Sequence, residues 1–158
     1  MTRRVLILGY EPIGYAAGIR QLAIPGRYEL WTFNNASSKL VRLSKRHFEM
    51  HKLEVYGAKA VDDASQDDDY LRRLRIGLGV PVYALRQTPE IADSVAYPIV
   101  PITETFGTYF TNSVSYMLAL AIHERVDEIH IYGVDMSREH EHAWERPSIE
   151  YFLGWARG

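Results

Sequence analysis

At 158 residues the chain has the length of one domain and enough of it to bury a continuous core. Its 47% hydrophobic and 24% charged residues suit a soluble globular protein. The 18 Lys+Arg against 20 Asp+Glu leave a net charge of −2, which excludes the broad basic field that selects nucleic acid or an anionic membrane surface. The absence of Cys excludes disulfides, thiolate metal sites and cysteine nucleophiles, and fits a reducing cytoplasm.

The opening "MTRRVLILGY" sets basic residues before an apolar run too short for a signal-peptide core, so it reads as a first strand. That run is continuous and closed by Gly9, as in a central parallel strand covered on both faces. "EPIGYAAGIRQLAI" follows as a helix, with Pro12 in its first turn and Pro25-Gly26 as the stop; Gly14 and Gly18 weaken its regularity. "YELWTFN" is a second strand ending at Asn34-Asn35. A short helix is expected over Ser38–Lys45 and a strand over about His47–Met50.

"DDASQDDDYLRRLRIGLG" reads as a charged surface helix with a capping box at Ser65 and Asp68 and arginines in its last turn. "PVYAL" is the next strand. "SVAYPIVPITETFGTYF" predicts a short strand running into a loop, because of its prolines and threonines. An apolar helix over Ser113–Glu124 and a strand over Glu128–Tyr132 come next. Even the apolar run at Met117–Ile122 falls far short of the roughly 20 residues of a membrane span. "SREHEHAWERP" reads as a polar loop, and "PSIEYFLGWARG" as a last helix with Pro147 near its start. Strands alternating with helices predict an α/β fold: a single Rossmann-like three-layer α/β/α sandwich on a mostly parallel sheet, spanning residues 1–158.

In such a sheet ligands bind beyond the carboxyl ends of the strands, and four polar clusters fall at those ends. "GYEPIG" supplies Gly9 and Pro12, where a backbone approaches a phosphate at a helix start or simply turns tightly. It is not GxGxxG and no acid closes the second strand, which disfavours a nicotinamide dehydrogenase. Asn34 and Asn35 carry amides that both donate and accept, fit for a ribose or base edge and equally at home in a turn. Thr111, Asn112 and Ser113 open the apolar helix; one of them suffices as its cap. Asp135 follows the strand "EIHIYGV", where a carboxylate holds a hydroxyl, binds a metal, acts as a base or caps the next segment.

Arg146, just before Pro147, is a candidate clamp for a carboxylate or phosphate. The alternation of His47, Glu49 and His51 puts all three on one face of a strand, as ligand contacts or as an exposed edge. "EHEH" brings His140 and His142 two residues apart without further ligands at zinc spacing, so no metal site is expected. Of these groups His47, His140 and His142 are taken as the ones that titrate near neutrality.

The stretch "YFTNSVSYMLALAI…EIHIYGVDM" resembles the small-polar, apolar-helix, strand, Gly-hydrophobic-Asp pattern of bacterial sialyltransferases of glycosyltransferase family 42, and the Rossmann-like domain of the archaeal 6-hydroxymethylpterin diphosphokinase family. "WTFN", "RHFEMH", "YGVDM" and "ERPSIEYFLGWARG" are similar to small uncharacterised bacteriophage and prophage proteins. The resemblance runs from Val5 to Gly158 and is densest after Tyr109. It implies a nucleotide or nucleotide-sugar ligand (CMP-sugar or ATP-like), held by Gly9, Asn34 or Asn35, and Thr111, Asn112 and Ser113, with Asp135 and Arg146 orienting a second substrate. It implies a minimal glycosyl or phosphoryl transferase. The alternative is a non-catalytic phage accessory protein that sequesters a nucleotide signal or binds a host protein. Of the family's glycine loop only Gly9 and Pro12 remain, and its catalytic lid histidine has no visible counterpart. Eleven Tyr and three Trp can also supply a homo-oligomer interface.

Overall fold

The computed structural model describes residues 2–52, 64–136 and 141–158, with the side chains of 64–68 and 141–143 left out of the description. The strands are β1 (Arg4–Leu8), β2 (Glu29–Phe33), β3 (Arg46–Phe48), β4 (Val82–Ala84), β5 (Ser94–Ala96) and β6 (Glu128–Tyr132). The helices are α1 (Pro12–Leu22), α2 (Ser38–Val41), α3 (Ala64–Ile76), α4 (Ile99–Phe106), α5 (Ser113–His123) and α6 (Glu141–Arg157). The strands form one sheet in the order β5-β4-β3-β2-β1-β6, and every pairing is parallel. This is a Rossmann-like α/β sandwich, and among the described residues no helix is long and apolar enough to cross a membrane.

Side chains alternate across the sheet, so each strand contributes to two apolar layers. Val5 and Ile7 of β1 pack with Trp31, Phe33 and Phe48 against Met117, Leu118 and Leu120 of α5. Leu6 and Leu8 face the other way, with Leu30 and Leu40, toward Tyr15 and Leu22 of α1. Farther along that second face Tyr70 and Leu74 of α3 cover Val82 and Ala84. β1 is buried on both sides, which is why it reads as an unbroken apolar run. α5 is apolar nearly all round because the sheet lies on one side and Ile149 and Phe152 of α6 on the other.

Two segments depart from the sequence reading. Residues 99–106 form α4 rather than a loop. Pro98 is its N-cap and Pro101 sits in its first turn, where no helical N–H is needed, while Thr103 and Thr105 hydroxyls bond back to the carbonyls of Val100 and Pro101. α6 begins at Glu141, so Pro147 lies inside the helix instead of starting it, and residues 141–147 are not loop. In the turn that Pro147 interrupts, the Glu145 carbonyl accepts from Asn112 Nδ2 and Ser148 Oγ, each at 3.0 Å, and from Thr111 Oγ1. These bonds fasten the start of α5 to α6 beside the proline.

The opposite end of the sheet is tied by charge. Arg3 bonds Glu29 and Glu124, and Arg46 bonds Glu124 at 2.6 Å while its guanidinium lies over Trp31 and Tyr83. Burial pushes the Glu124 carboxyl up, but the hydrogen bonds from Arg46 and Arg3 outweigh it and hold the group below its ordinary range.

Candidate functional site

β1 runs to β2 on one side, and the chain continues outward to β5 before returning to place β6 on the other side of β1. Strand order thus reverses between β1 and β6, and a cleft opens beyond their carboxyl ends. A cavity of about 540 Å³ occupies it. Gly9 and Pro12 line it from the β1 end, Asn34 from the β2 end, Asp135 from the β6 end, and Asn112 and Ser113 from the start of α5. Six residues from four separate stretches of sequence therefore share one cavity. His51, for which a ligand contact was one of two readings, also lines it. Tyr10, Glu11, Phe33, Val134, Met136 and Glu145, which the sequence does not single out, complete much of the lining.

Asn34 adopts φ 50°, the left-handed region that few residues other than Gly and Asn accept. That conformation turns its amide across the cleft, where Oδ1 accepts from Ser113 Oγ at 2.9 Å. Asn112 caps α5 by accepting from the Ser115 N–H, and its Nδ2 donates to the Glu145 carbonyl, so the cap also fastens α6. Tyr10 donates its hydroxyl to the Phe33 carbonyl with the two rings tilted 5.7 Å apart. Burial pushes its phenol well above the ordinary range, so this wall stays neutral.

Other sequence candidates fall elsewhere. Asn35 lines a second cavity on the far side of Tyr10, where its Oδ1 accepts from Arg73 at 2.8 Å. Thr111 is spent on the α5–α6 junction, with Oγ1 2.6 Å from Ser148 Oγ. Arg146 pairs with Glu150 on the exposed side of α6 and does not line the cavity. Its position one turn into a longer helix, rather than at a helix start, turns it away. Ser65, Asp68, Glu139, His140 and His142 lie outside the described side chains.

The glycine loop differs in kind from a phosphate cradle. The Gly9 N–H donates to the Tyr132 carbonyl and the Glu11 N–H to the Gly133 carbonyl, drawing the β1 and β6 ends into contact. A methyl at Gly9 would strike the Gly133 carbonyl, and one at Gly14 the Gly133 backbone nitrogen, so these glycines serve close backbone approach. Glu11 is the N-cap of α1: its carboxylate accepts from Ile13 N at 3.0 Å and from Gly14 N at 2.6 Å. The helix end expected to meet phosphate already holds a carboxylate of its own chain. With Asp135 and Glu145, three acids and no Lys or Arg line the cavity among the described residues.

His47 is not the neutral-pH titrating group expected from sequence. It is fully buried on β3, and burial pushes its pKa down to about 4 despite the neighbouring Glu49. Its Nδ1 lies 2.9 Å from Thr32 Oγ1 and its Nε2 2.9 Å from the Tyr70 hydroxyl. Tyr70 donates to Glu49 Oε2 at 2.7 Å, and Glu49 Oε1 receives the His51 N–H and His51 Nδ1. The alternation of His47, Glu49 and His51 did carry the signal of a shared face. Nothing local announced that Tyr70, about 20 residues on, would close the chain of hydrogen bonds. Among the described residues no cluster of His, Cys, Asp and Glu could hold a metal ion. No family model matches the chain, and no curated protein and no solved structure matches it either, so the cavity's role rests on its own geometry.

Proposed function

We propose that the cavity between β1, β2 and β6 binds a nucleoside-containing small molecule, a nucleotide or nucleotide-sugar, and that the protein acts on or captures that ligand. The observation that carries this reading is the convergence of Gly9, Pro12, Asn34, Asn112, Ser113 and Asp135 on one cavity at the reversal of strand order. Asp135 at the end of β6 suits a ribose or sugar diol, which donates two hydrogen bonds to a carboxylate. Asn34 and Ser113 offer an amide and a hydroxyl for a base or sugar edge, and Tyr10 and Phe33 offer aromatic walls. Ser113 and Val114, the first residues of α5, are the part of the lining suited to a single phosphate. The Glu11 carboxylate already seated on the α1 N-terminus disfavours a triphosphate there, so the expected order of affinity is nucleoside monophosphate or its sugar conjugate above ATP.

Thermal unfolding against cytidine, CMP, CMP-N-acetylneuraminic acid, UDP-N-acetylglucosamine and ATP tests the reading. A ligand at a hundred times its Kd adds about 2.7 kcal/mol. For a chain of this size that is roughly 5–10 °C in Tm. Asp135→Asn and Asn34→Gly (the latter keeping the left-handed backbone) should each diminish the shift. No shift from any of the five compounds, or a shift unaltered in both variants, removes the reading. Recovery of the bound compound unchanged after denaturation marks capture without chemistry.

A further inference from the structure

We propose that His51 is a catalytic base of this cavity, held by Glu49, and that the site therefore transfers a group from its ligand to a hydroxyl or to water; this rests on the ligand reading above. Glu49 sets a carboxylate among buried groups of the sheet. The Glu49 side chain has no exposure, and burying a carboxylate costs several kcal/mol unless its charge is met by donors. An apolar residue at this position would serve the core at no such cost. Here the donors are built in: Tyr70 gives its only proton to Oε2, and the His51 backbone N–H and Nδ1 both reach Oε1, at 3.0 and 2.9 Å.

With Glu49 ionised, the direction of each hydrogen bond along the chain follows. Because the Tyr70 proton goes to Glu49, the Tyr70 oxygen accepts from His47, which must carry its proton on Nε2. His47 Nδ1 is consequently an acceptor, and Thr32 Oγ1 is its donor. Every donor from Thr32 onward points toward Glu49. The same carboxylate fixes the His51 tautomer with hydrogen on Nδ1 and the basic lone pair on Nε2, the ring nitrogen away from Glu49. His51 is the member of the chain that reaches the cavity: its side chain is 43% exposed and lines the same cavity as Asn34 and Asp135. A base whose partner nitrogen is tied to a buried carboxylate, itself locked from behind, matches the support that a proton-abstracting histidine requires.

In the step this assigns, the O–H bond of water or of an acceptor hydroxyl breaks and its proton passes to His51 Nε2. The oxygen forms a bond to the electrophilic carbon or phosphorus of the bound ligand. The bond from that atom to the leaving phosphate or nucleotide breaks, and the leaving group departs with the electron pair. The imidazolium is stabilised by Glu49 and returns its proton to solvent or to the departing oxygen. No oxidant, reductant or metal enters the balance.

The test incubates the full chain with CMP-N-acetylneuraminic acid, UDP-N-acetylglucosamine or ATP, with water as the acceptor, and follows released nucleotide by chromatography while the thermal shift of each compound is read in parallel. In His51→Ala the expected result is a loss of turnover on the order of 10²–10⁴-fold, an unchanged thermal shift, and partial recovery of kcat on adding imidazole. Glu49→Gln should lower kcat with KM unchanged; if it fails to fold, His51→Ala on the half-exposed side chain still decides. A compound that raises Tm but comes back intact from the wild-type protein overturns catalysis and leaves the binding reading standing. Wild-type turnover in His51→Ala, or loss of its thermal shift together with turnover, overturns the role of His51. Absence of any shift removes both inferences.

Discussion

Acidification should destabilise this protein through His47, in a pH range where most carboxylates are still ionised. The imidazole has no exposure, and burial pushes its pKa down from 6.5 to about 4, Glu49 opposing that shift without cancelling it. The folded pKa lies below the unfolded one, so between those values the unfolded chain binds a proton that the folded chain refuses. The stabilisation is complete above pH 6.5 and is lost progressively as pH falls through 4. At about 1.4 kcal/mol per pH unit the whole gap amounts to roughly 3–4 kcal/mol, of which about 2 kcal/mol is gone by pH 5. Against a total stability of about 5–15 kcal/mol that is a large share. Urea unfolding of the wild type and of His47→Gln at pH 7.5, 6.5, 5.5 and 5.0 isolates the contribution, because every other titrating group is common to both proteins. The two free energies should converge by about 2 kcal/mol between the highest and lowest pH, with m unchanged. A difference that stays constant across the series refutes the assignment of His47 as a buried, neutral imidazole.

Gly9→Ala drives a methyl into the Gly133 carbonyl and should cost about 1–3 kcal/mol in urea unfolding; a change near zero would mean that the β1 and β6 ends separate freely. Tyr70→Phe leaves both the His47 Nε2 donor and Glu49 Oε2 without the hydroxyl they share, and should destabilise by about 1–3 kcal/mol for each group so affected. Stability unchanged in that variant would show that the hydrogen-bond chain is not intact in solution. Asn112→Ala removes the α5 cap and the amide tie to Glu145, with an expected loss of about 0.5–2 kcal/mol from the cap alone. Amide exchange should then rise in α6 as well as in the first turn of α5; protection lost only in α5 would dissolve the proposed coupling of the two helices.

The fold is legible in the chain where burial is symmetrical. "VLIL" is apolar without alternation because α1 lies on one side of β1 and α5 on the other, and the strand "EIHIY" ends where it was expected to. Gly9, Pro12, Asn34, Asn112, Ser113 and Asp135 could be singled out from their place after strands and before a helix, since in a parallel sheet those positions fall at one end. Prolines misled twice. At 98 and 101 they sit where a helix start needs no N–H, and at 147 the proline lies inside α6 rather than at its start.

What the sequence determined by itself is the order of the strands and of every helix but α4, and the end of the sheet at which polar residues gather, because both follow from local periodicity and chain direction. What only the tertiary structure decided is which groups meet. Glu11 closes the helix end that a phosphate was expected to occupy, Asn35 and Arg146 turn to other partners, and Tyr70 from α3 joins His47 to Glu49 and so to His51 at the cavity. Those contacts join residues brought together by the stacking of α3 on β3 and of α6 on α5, or depend on side-chain and cap geometry that no residue's neighbours in sequence specify.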